Sequence, residues 1–286
     1  MKWNLIIDVA ECENCNNCVV ATKDELVGND FSGYSAPHPA QGNGVVRIER
    51  HVRGSGHHTA AAYVPRMCNH CDEAPCVNAG GGAVKKRDDG IVLFDPVACK
   101  GRRDLVDACP YDAIVWNEAL QLPQTWFFDA HLLDAGWKAP RLVPVCPTAA
   151  IEAVKVDDAS MQRRIADEGL RPLKPELGTR PRVWYRHLHR ADSCFVAGSV
   201  VTGRTGPVEC VEGALVELQI QGRRMETRTD PFGDFRIDGL ARDSGPWRLD
   251  ISQSEFGSAS REGVVGSDSV VLEDIALTGQ ARACPE

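Results

Sequence analysis

No stretch of apolar residues approaches the roughly 20 that a membrane-spanning helix needs, so no membrane role is expected. The apolar segment around Leu5-Ile6-Ile7 is too short for a secretory signal, and the sequence near it has no paired arginines of the twin-arginine type. A cytoplasmic location is therefore expected. Surplus positive charge is missing as well. With 32 basic and 40 acidic residues the formal charge is −8, which argues against a sequence-independent grip on nucleic-acid phosphates. The motifs of a self-contained active site are also lacking: there is no nucleophile elbow, P-loop or dinucleotide fingerprint. Gly80-Gly81-Gly82 is the only glycine run, and without phosphate-binding spacing it reads as a turn. No catalytic residue is expected in this chain.

What the sequence has in excess is cysteine. There are 12 among 286 residues, a length that fits two compact domains, and nine of them lie between Cys12 and Cys146. In a reducing compartment such density points to metal ligation or redox chemistry rather than disulfides. Cys194, Cys210 and Cys284 are scattered and read as plain buried or free thiols. The first run is Cys12-Glu13-Asn14-Cys15-Asn16-Asn17-Cys18, and the second contains Cys68, Cys71 and Cys76. Gaps of two residues let three thiolates curl round one face of a metal cube. Two Cys-Pro pairs follow, Cys109-Pro110 and Cys146-Pro147, and proline fixes the exit of the chain from a cluster loop. Structural zinc is the competing reading, since Cys68 and Cys71 have zinc spacing, but a triple run with a distant Cys-Pro suits iron–sulfur better. His51, His57, His58, His70, His131, His187 and His189 show no spacing that converges on a metal, so solvated or hydrogen-bonding roles are expected for them.

The chain changes character near residue 193. Before it, regular periodicity is poor and Cys, Pro and Gly are dense. A short helix is expected from Ala159 to Glu168, with Gly169 as its stop. Three prolines and many basic residues between Arg171 and Arg190 suggest an extended docking strap or a solvated linker. Beyond Phe195 the pattern is β: Val196 to Val201 is strand-like, Ala214 to Ile220 alternates, and turn signals recur at Gln221-Gly222, Asp230-Pro231-Phe232-Gly233 and Asp243-Ser244-Gly245-Pro246. The expected class is α+β. It comprises a ferredoxin-like iron–sulfur domain over residues 1–158, a helix and strap over 159–193, and a small antiparallel β-sandwich or barrel over 194–286. The last part resembles the transthyretin-like or carboxypeptidase-regulatory-like module through Gly213-Ala214-Leu215-Val216 and Thr229 to Phe235.

The cysteine runs resemble the four-cluster ferredoxin subunit of the molybdopterin oxidoreductase superfamily. In that template the first run pairs with the fourth and the second with the third, each cluster taking its last ligand from the partner run. The resemblance implies two complete quartets: Cys12, Cys15, Cys18 with Cys146, and Cys68, Cys71, Cys76 with Cys109. The two other template quartets fall on Cys99, Arg102, Leu105 and Gly80, and on Trp126, Asp129, Leu142 and Thr22. All seven missing cysteines belong to the same two quartets, which implies two [4Fe–4S] clusters rather than four, with Trp126, Leu142, Leu105 and Arg102 filling the vacated volumes.

A narrower resemblance rests on Ile7-Asp8-Val9-Ala10, Asn16-Asn17-Cys18, Asp88-Asp89-Gly90-Ile91-Val92-Leu93, Ala130-His131-Leu132-Leu133-Asp134 and Lys174 to Val183, together with the β appendage. These look like the small subunits of the pyrogallol–phloroglucinol transhydroxylase and resorcinol hydroxylase family. That resemblance implies a heterodimer, with a dimer of heterodimers as a further assembly. The large catalytic subunit alone would carry a molybdenum bis(molybdopterin guanine dinucleotide) centre and the phenolic substrate. This chain would be a non-catalytic electron-transfer subunit. The sequence departs from the transhydroxylase pattern, in which only the third-run cluster is missing. Two other roles stay open: a ferredoxin subunit for a molybdopterin reductase of an oxyanion or sulfoxide, and a partner whose clusters only staple the fold.

Overall fold

The Lys2–Asp8 segment carries Leu5, Ile6 and Ile7 without interruption, the pattern of a strand covered on both faces. In the computed structural model, which describes residues 1–42, 44–203 and 207–278, it is the middle strand of a three-stranded sheet. Ile151–Val156 pairs with it antiparallel, setting Ile7 opposite Ile151. Val183–Arg186 pairs with it parallel, setting Leu5 opposite Val183. Every residue of the strand except Lys2 is buried. The chain forms two compact units, one of Met1–Arg50 with Ala62–Leu188, the other of His51–Ala61 with His189–Glu286.

The expected helix spans Asp158–Glu168. The Asp157 carboxylate accepts a hydrogen bond from the Ser160 amide at 2.8 Å, and Gly169 ends the helix in the left-handed conformation at φ 61°. Its apolar face buries Met161 against Ile6 and Leu170. The segment after it departs from the expected free strap. Arg171 and Tyr185 exchange backbone hydrogen bonds, and Val183–Arg186 joins the sheet. Three of its arginines find carboxylates inside the same unit: Arg180 pairs with Glu73, Arg182 with Asp72 and Asp158, and Arg186 with Asp8 and Glu168. A sheet edge and carboxylates that range from buried Asp8 to exposed Glu73 and Asp158 hold the segment.

In the second unit Val216, Leu218 and Ile220 point inward from the Leu215–Ile220 strand, as their alternation requires. Four strands lie in the order Arg223–Arg228, Leu215–Ile220, Gly245–Gln253, Gly257–Val265, all antiparallel. The first turn of this sheet uses Gln221 at φ 49° and Gly222 at φ 73°, the left-handed pair of a tight hairpin. A second sheet is built on Cys194–Val201. Asp234–Leu240 pairs with it antiparallel, but Val270–Val271 and Ile275–Ala276 pair with it parallel. The expectation of a purely antiparallel unit is thus corrected, because the chain recrosses after Val265 and returns in the direction of Cys194–Val201. Val196, Val200, Phe235 and Ile237 of one sheet and Val216, Leu218, Leu249 and Ile251 of the other share one apolar core. Cys284 lies outside the described residues.

An ionic knot fixes the loop that carries Cys68 to Cys76. Arg182, whose side chain is only 5% exposed, donates from Nε to Asp72 Oδ1 at 2.8 Å and from Nη2 to Asp158 Oδ1 at 2.8 Å. Lys86 Nζ lies 3.0 Å from Asp72 and donates to the carbonyls of His70, Cys71 and Gly90 at 2.8, 2.9 and 2.9 Å. Burial pushes the Asp72 carboxyl up, but hydrogen bonds and charge from Arg182 and Lys86 outweigh it and bring the pKa down to about 2. Because the folded pKa is depressed below the ordinary 3.8, this contribution to stability is complete above the ordinary value and disappears as pH falls through about 2. Asp72→Asn leaves Arg182 buried without its main partner and is expected to cost about 2–3 kcal/mol. Guanidinium unfolding of the anaerobic protein at neutral pH checks this; a loss no larger than that of the exposed Asp107→Asn would contradict it.

Candidate iron–sulfur centres

The sheet register decides which cysteines meet. Asp8 donates its amide to the Ala150 carbonyl at 2.8 Å, which sets the segment before Ile151 beside the segment after Asp8. Asn17 then donates from Nδ2 to the Val145 carbonyl at 3.3 Å, across 128 positions of sequence. Cys12, Cys15, Cys18 and Cys146 are gathered there. Cys18 is buried, Cys12 and Cys146 are half-buried, and Cys15 is exposed. Burial pushes the Cys18 thiol up to about 11, and the neighbouring Cys12, Cys15 and Cys146 add to the rise. Cys12 is raised by burial too, with Cys146 and Cys15 as its nearest thiol influences.

A second group forms from Cys68, Cys71 and Cys76, all buried, with half-buried Cys109. Burial raises Cys71 to about 11 and Cys76 to about 12, and Cys109 contributes to both. Burial also pushes the Cys68 thiol well above the usual range, with Cys76 and Cys109 adding to the rise. Thiols this desolvated hold their protons until a cation compensates the thiolate charge. A single ion does not suit them. Among the described residues no three cysteine sulfurs lie within 4.8 Å of one another, whereas bonds of about 2.3 Å to one zinc would put the sulfurs about 4 Å apart. Four thiols brought together from two distant stretches of chain suit a multi-atom cluster.

The loops are shaped for it. Asn14 and Asn16 in the first run, His70 in the second, Asp112 after Cys109 and Ala149 after Cys146 all adopt positive φ, between 45° and 61°. Such conformations cost non-glycine residues on the order of 1–2 kcal/mol each and persist where ligand geometry demands them. Backbone amides turn inward at the same time: the His70 amide lies 3.5 Å from Cys68 Sγ, and amides at Asn14, Val19 and Val77 hydrogen-bond Cys12, Cys18 and Cys76. Amide donors of this kind tune a cluster's potential. Thr179 also hydrogen-bonds the Cys71 thiol and shares a 2.6 Å bond with Tyr111 Oη. Neither Thr179 nor Tyr111 carries a sequence signal for this role, since both reach the site by tertiary packing.

Most template positions that lack a cysteine are buried. Trp126 and Leu142 are fully buried, and buried Asp129 accepts from Trp126 Nε1 at 3.1 Å and from the Arg141 amide at 2.7 Å. Thr22 Oγ1 donates to the Cys18 carbonyl at 2.8 Å. In the other lost quartet Leu105 and Cys99 are fully buried, and Cys99 Sγ sits 3.4 Å from the Ala83 carbonyl. A side chain at Gly80 would place its Cβ 2.7 Å from Val84 Cβ, so no ligand fits there. Arg102 departs from the expected filler role: it lies at the surface, paired with Asp104 and donating to the Ala79 carbonyl at 2.8 Å. Buried Cys194 and exposed Cys210 join neither group and form no cluster of their own among the described residues. Trp126→Ala is expected to open a cavity and destabilise the protein by about 3–5 kcal/mol. Cys99→Ala should leave the iron content unchanged. Chemical unfolding and iron analysis check the pair, and loss of iron in Cys99→Ala would contradict the reading of the lost quartet.

Comparison with known proteins finds iron–sulfur relatives. A family model described as a 4Fe-4S dicluster domain matches residues 59–156. The pyrogallol hydroxytransferase small subunit of Pelobacter acidigallici is 39% identical over 278 residues, covering 96% of this chain and 96% of that one. A tetrathionate reductase subunit of Salmonella typhimurium is 32% identical, covering 72% of this chain and 78% of that one. The arsenate respiratory reductase iron–sulfur subunit of a Shewanella species is 27% identical, covering 65% of this chain and 96% of that one. The chain carries iron–sulfur clusters and belongs to the family of iron–sulfur electron-transfer subunits of molybdopterin oxidoreductases, which work beside a large catalytic subunit.

Proposed function

We propose that this chain holds two [4Fe–4S] clusters, one on Cys12, Cys15, Cys18 and Cys146, the other on Cys68, Cys71, Cys76 and Cys109. Through them it exchanges electrons with a molybdenum bis(molybdopterin guanine dinucleotide) centre confined to the large subunit. The reaction there is hydroxylation or transhydroxylation of a phenolic ring. The observation that carries this reading is the pairing of two intact quartets with end-to-end similarity to a pyrogallol hydroxytransferase small subunit at 39% identity. Similarity to the tetrathionate reductase subunit stops at 72% of the chain, which favours the phenolic reading over an oxyanion one. When bound, the clusters supply one-electron chemistry; the chain's own part is to provide thiolates, exclude water and present amides to sulfur.

The β unit takes no part in ligation in this reading. Its two sheets form a sandwich of the transthyretin-like kind and offer contact surface for the large subunit or for a second heterodimer. The complex works in the cytoplasm.

The test uses the heterodimer produced with its genomic neighbour under anaerobic conditions. Cys12→Ala and Cys146→Ala should abolish the same reduced-cluster EPR signal, and Cys68→Ala and Cys109→Ala the other. Loss of one common signal in Cys12→Ala and Cys109→Ala would show the pairing to be wrong. Either cluster's loss should also lower turnover of a trihydroxybenzene by at least about tenfold, a barrier increase of about 1.4 kcal/mol. Full turnover without reducible clusters would return the chain to a stapling role.

A further inference from the structure

One cluster of side chains in the β unit has no part in iron–sulfur chemistry. His57 and His58 sit in the short turn Gly56–His58, and Ser199 and Asp234 face each other across the antiparallel register of two strands. His57 Nε2 lies 3.1 Å and His58 Nε2 3.2 Å from Ser199 Oγ, which donates to Asp234 Oδ1 at 2.5 Å. The two Nε2 atoms are 4.0 and 3.9 Å from Asp234 Oδ1. The two imidazoles and the carboxylate thus offer three ligand atoms all within 4.8 Å of one another.

Four bonds of about 2.1 Å to a tetrahedral zinc ion set its ligand atoms about 3.4 Å apart. The separations here, from 2.5 to 4.0 Å, straddle that value. The turn is preorganised: a Cβ at Gly54, φ 77°, would lie 2.5 Å from the Phe195 ring and 2.6 Å from the His58 carbonyl, so only glycine allows this approach. Thr59 Oγ1 closes the turn on the Gly56 carbonyl at 2.8 Å. His58 is 5% exposed, while His57 is 65% exposed and leaves an entry path. Asp234 and Asp230 supply negative charge near His58 against the guanidinium of Arg236, which is stacked 4.7 Å over Phe195.

We propose that His57, His58 and Asp234 bind one zinc ion per chain, with the Ser199 hydroxyl or a water in the fourth position. The ion pins the 51–61 segment to the two strands of the same unit, and binding adds to the stability of that unit by mass action. The ligand set is nitrogen and oxygen only, so it is chemically distinct from the cysteine groups.

The experiment uses the cluster-loaded heterodimer, dialysed against zinc and then washed anaerobically. About one zinc per chain should be retained with iron unchanged. His57→Ala and Asp234→Asn should each weaken zinc binding by at least about tenfold, since even outer-shell losses cost 10–100-fold. Unchanged iron content and circular dichroism show that both variants are folded. With cobalt as the probe, the visible bands of a four-coordinate nitrogen–oxygen site should appear without a thiolate charge-transfer band. Substoichiometric zinc in the wild type, equal retention in both variants, or a thiolate–cobalt band would overturn the proposal.

Discussion

The hydrogen-bond ladder of Lys2–Asp8 determines where the ends of the ferredoxin-like unit meet. Its register with Ile151–Val156 is held by apolar side chains on both faces. A slip of one residue would exchange the side chains packed on its two faces. With that register fixed, the loop leaving Asp8 lies beside the loop entering Ile151, and Cys146 joins the first run. On the other edge Val183–Arg186 brings Thr179 and Arg182 to the second group, where Arg182 and Lys86 hold Asp72 and the Lys86 ammonium bonds the backbone between the cysteines. The cysteine loops have little regular structure of their own. They are positioned from outside by a sheet and an ionic knot, and they store left-handed strain that metal ligation repays.

In the proposed two-cluster reading, the half of the template without cysteines shows how a cluster volume is retired without leaving a hole. A cube that vanished would leave a cavity and its coordinating thiols exposed to one another, a combination that costs several kcal/mol. At those positions Trp126 and Leu142 are fully buried, Asp129 satisfies both the indole N–H and the Arg141 amide, and Thr22 turns its hydroxyl back on its own helix. Gly80 closes onto Val84 so tightly that no side chain could return there. The intact positions look different: their residues are thiols, and amides of the same loops point at sulfur.

Local signals are legible in the sequence alone. The cysteine spacing, the helix Asp158–Glu168 with its Asp157 and Gly169 caps, and the alternation of Leu215–Ile220 each depend on neighbours a few residues away. What the sequence hides depends on pairing between distant segments. Leu5 to Ile7 look like a short apolar stretch and form a central strand. The basic segment after Arg171 looks like a strap, yet its strand and its arginines are consumed within the unit. Parallel pairing of Val270–Val271 and Ile275–Ala276 leaves no periodic trace, because it is set by where the chain recrosses. His57, His58 and Asp234 converge for the same reason: strand register, not spacing, brings them together.

The chain holds clusters for a catalytic partner, and the number proposed is two. That number follows from which quartets survive whole, and it sets how many electrons the small subunit can store. Iron and acid-labile sulfide analysis of the anaerobically purified heterodimer addresses it most directly. Two clusters require about eight iron atoms and about eight sulfides per small subunit, four of each per cluster. About twelve or sixteen would mean that a quartet without its cysteines still holds a cube, and would contradict that number.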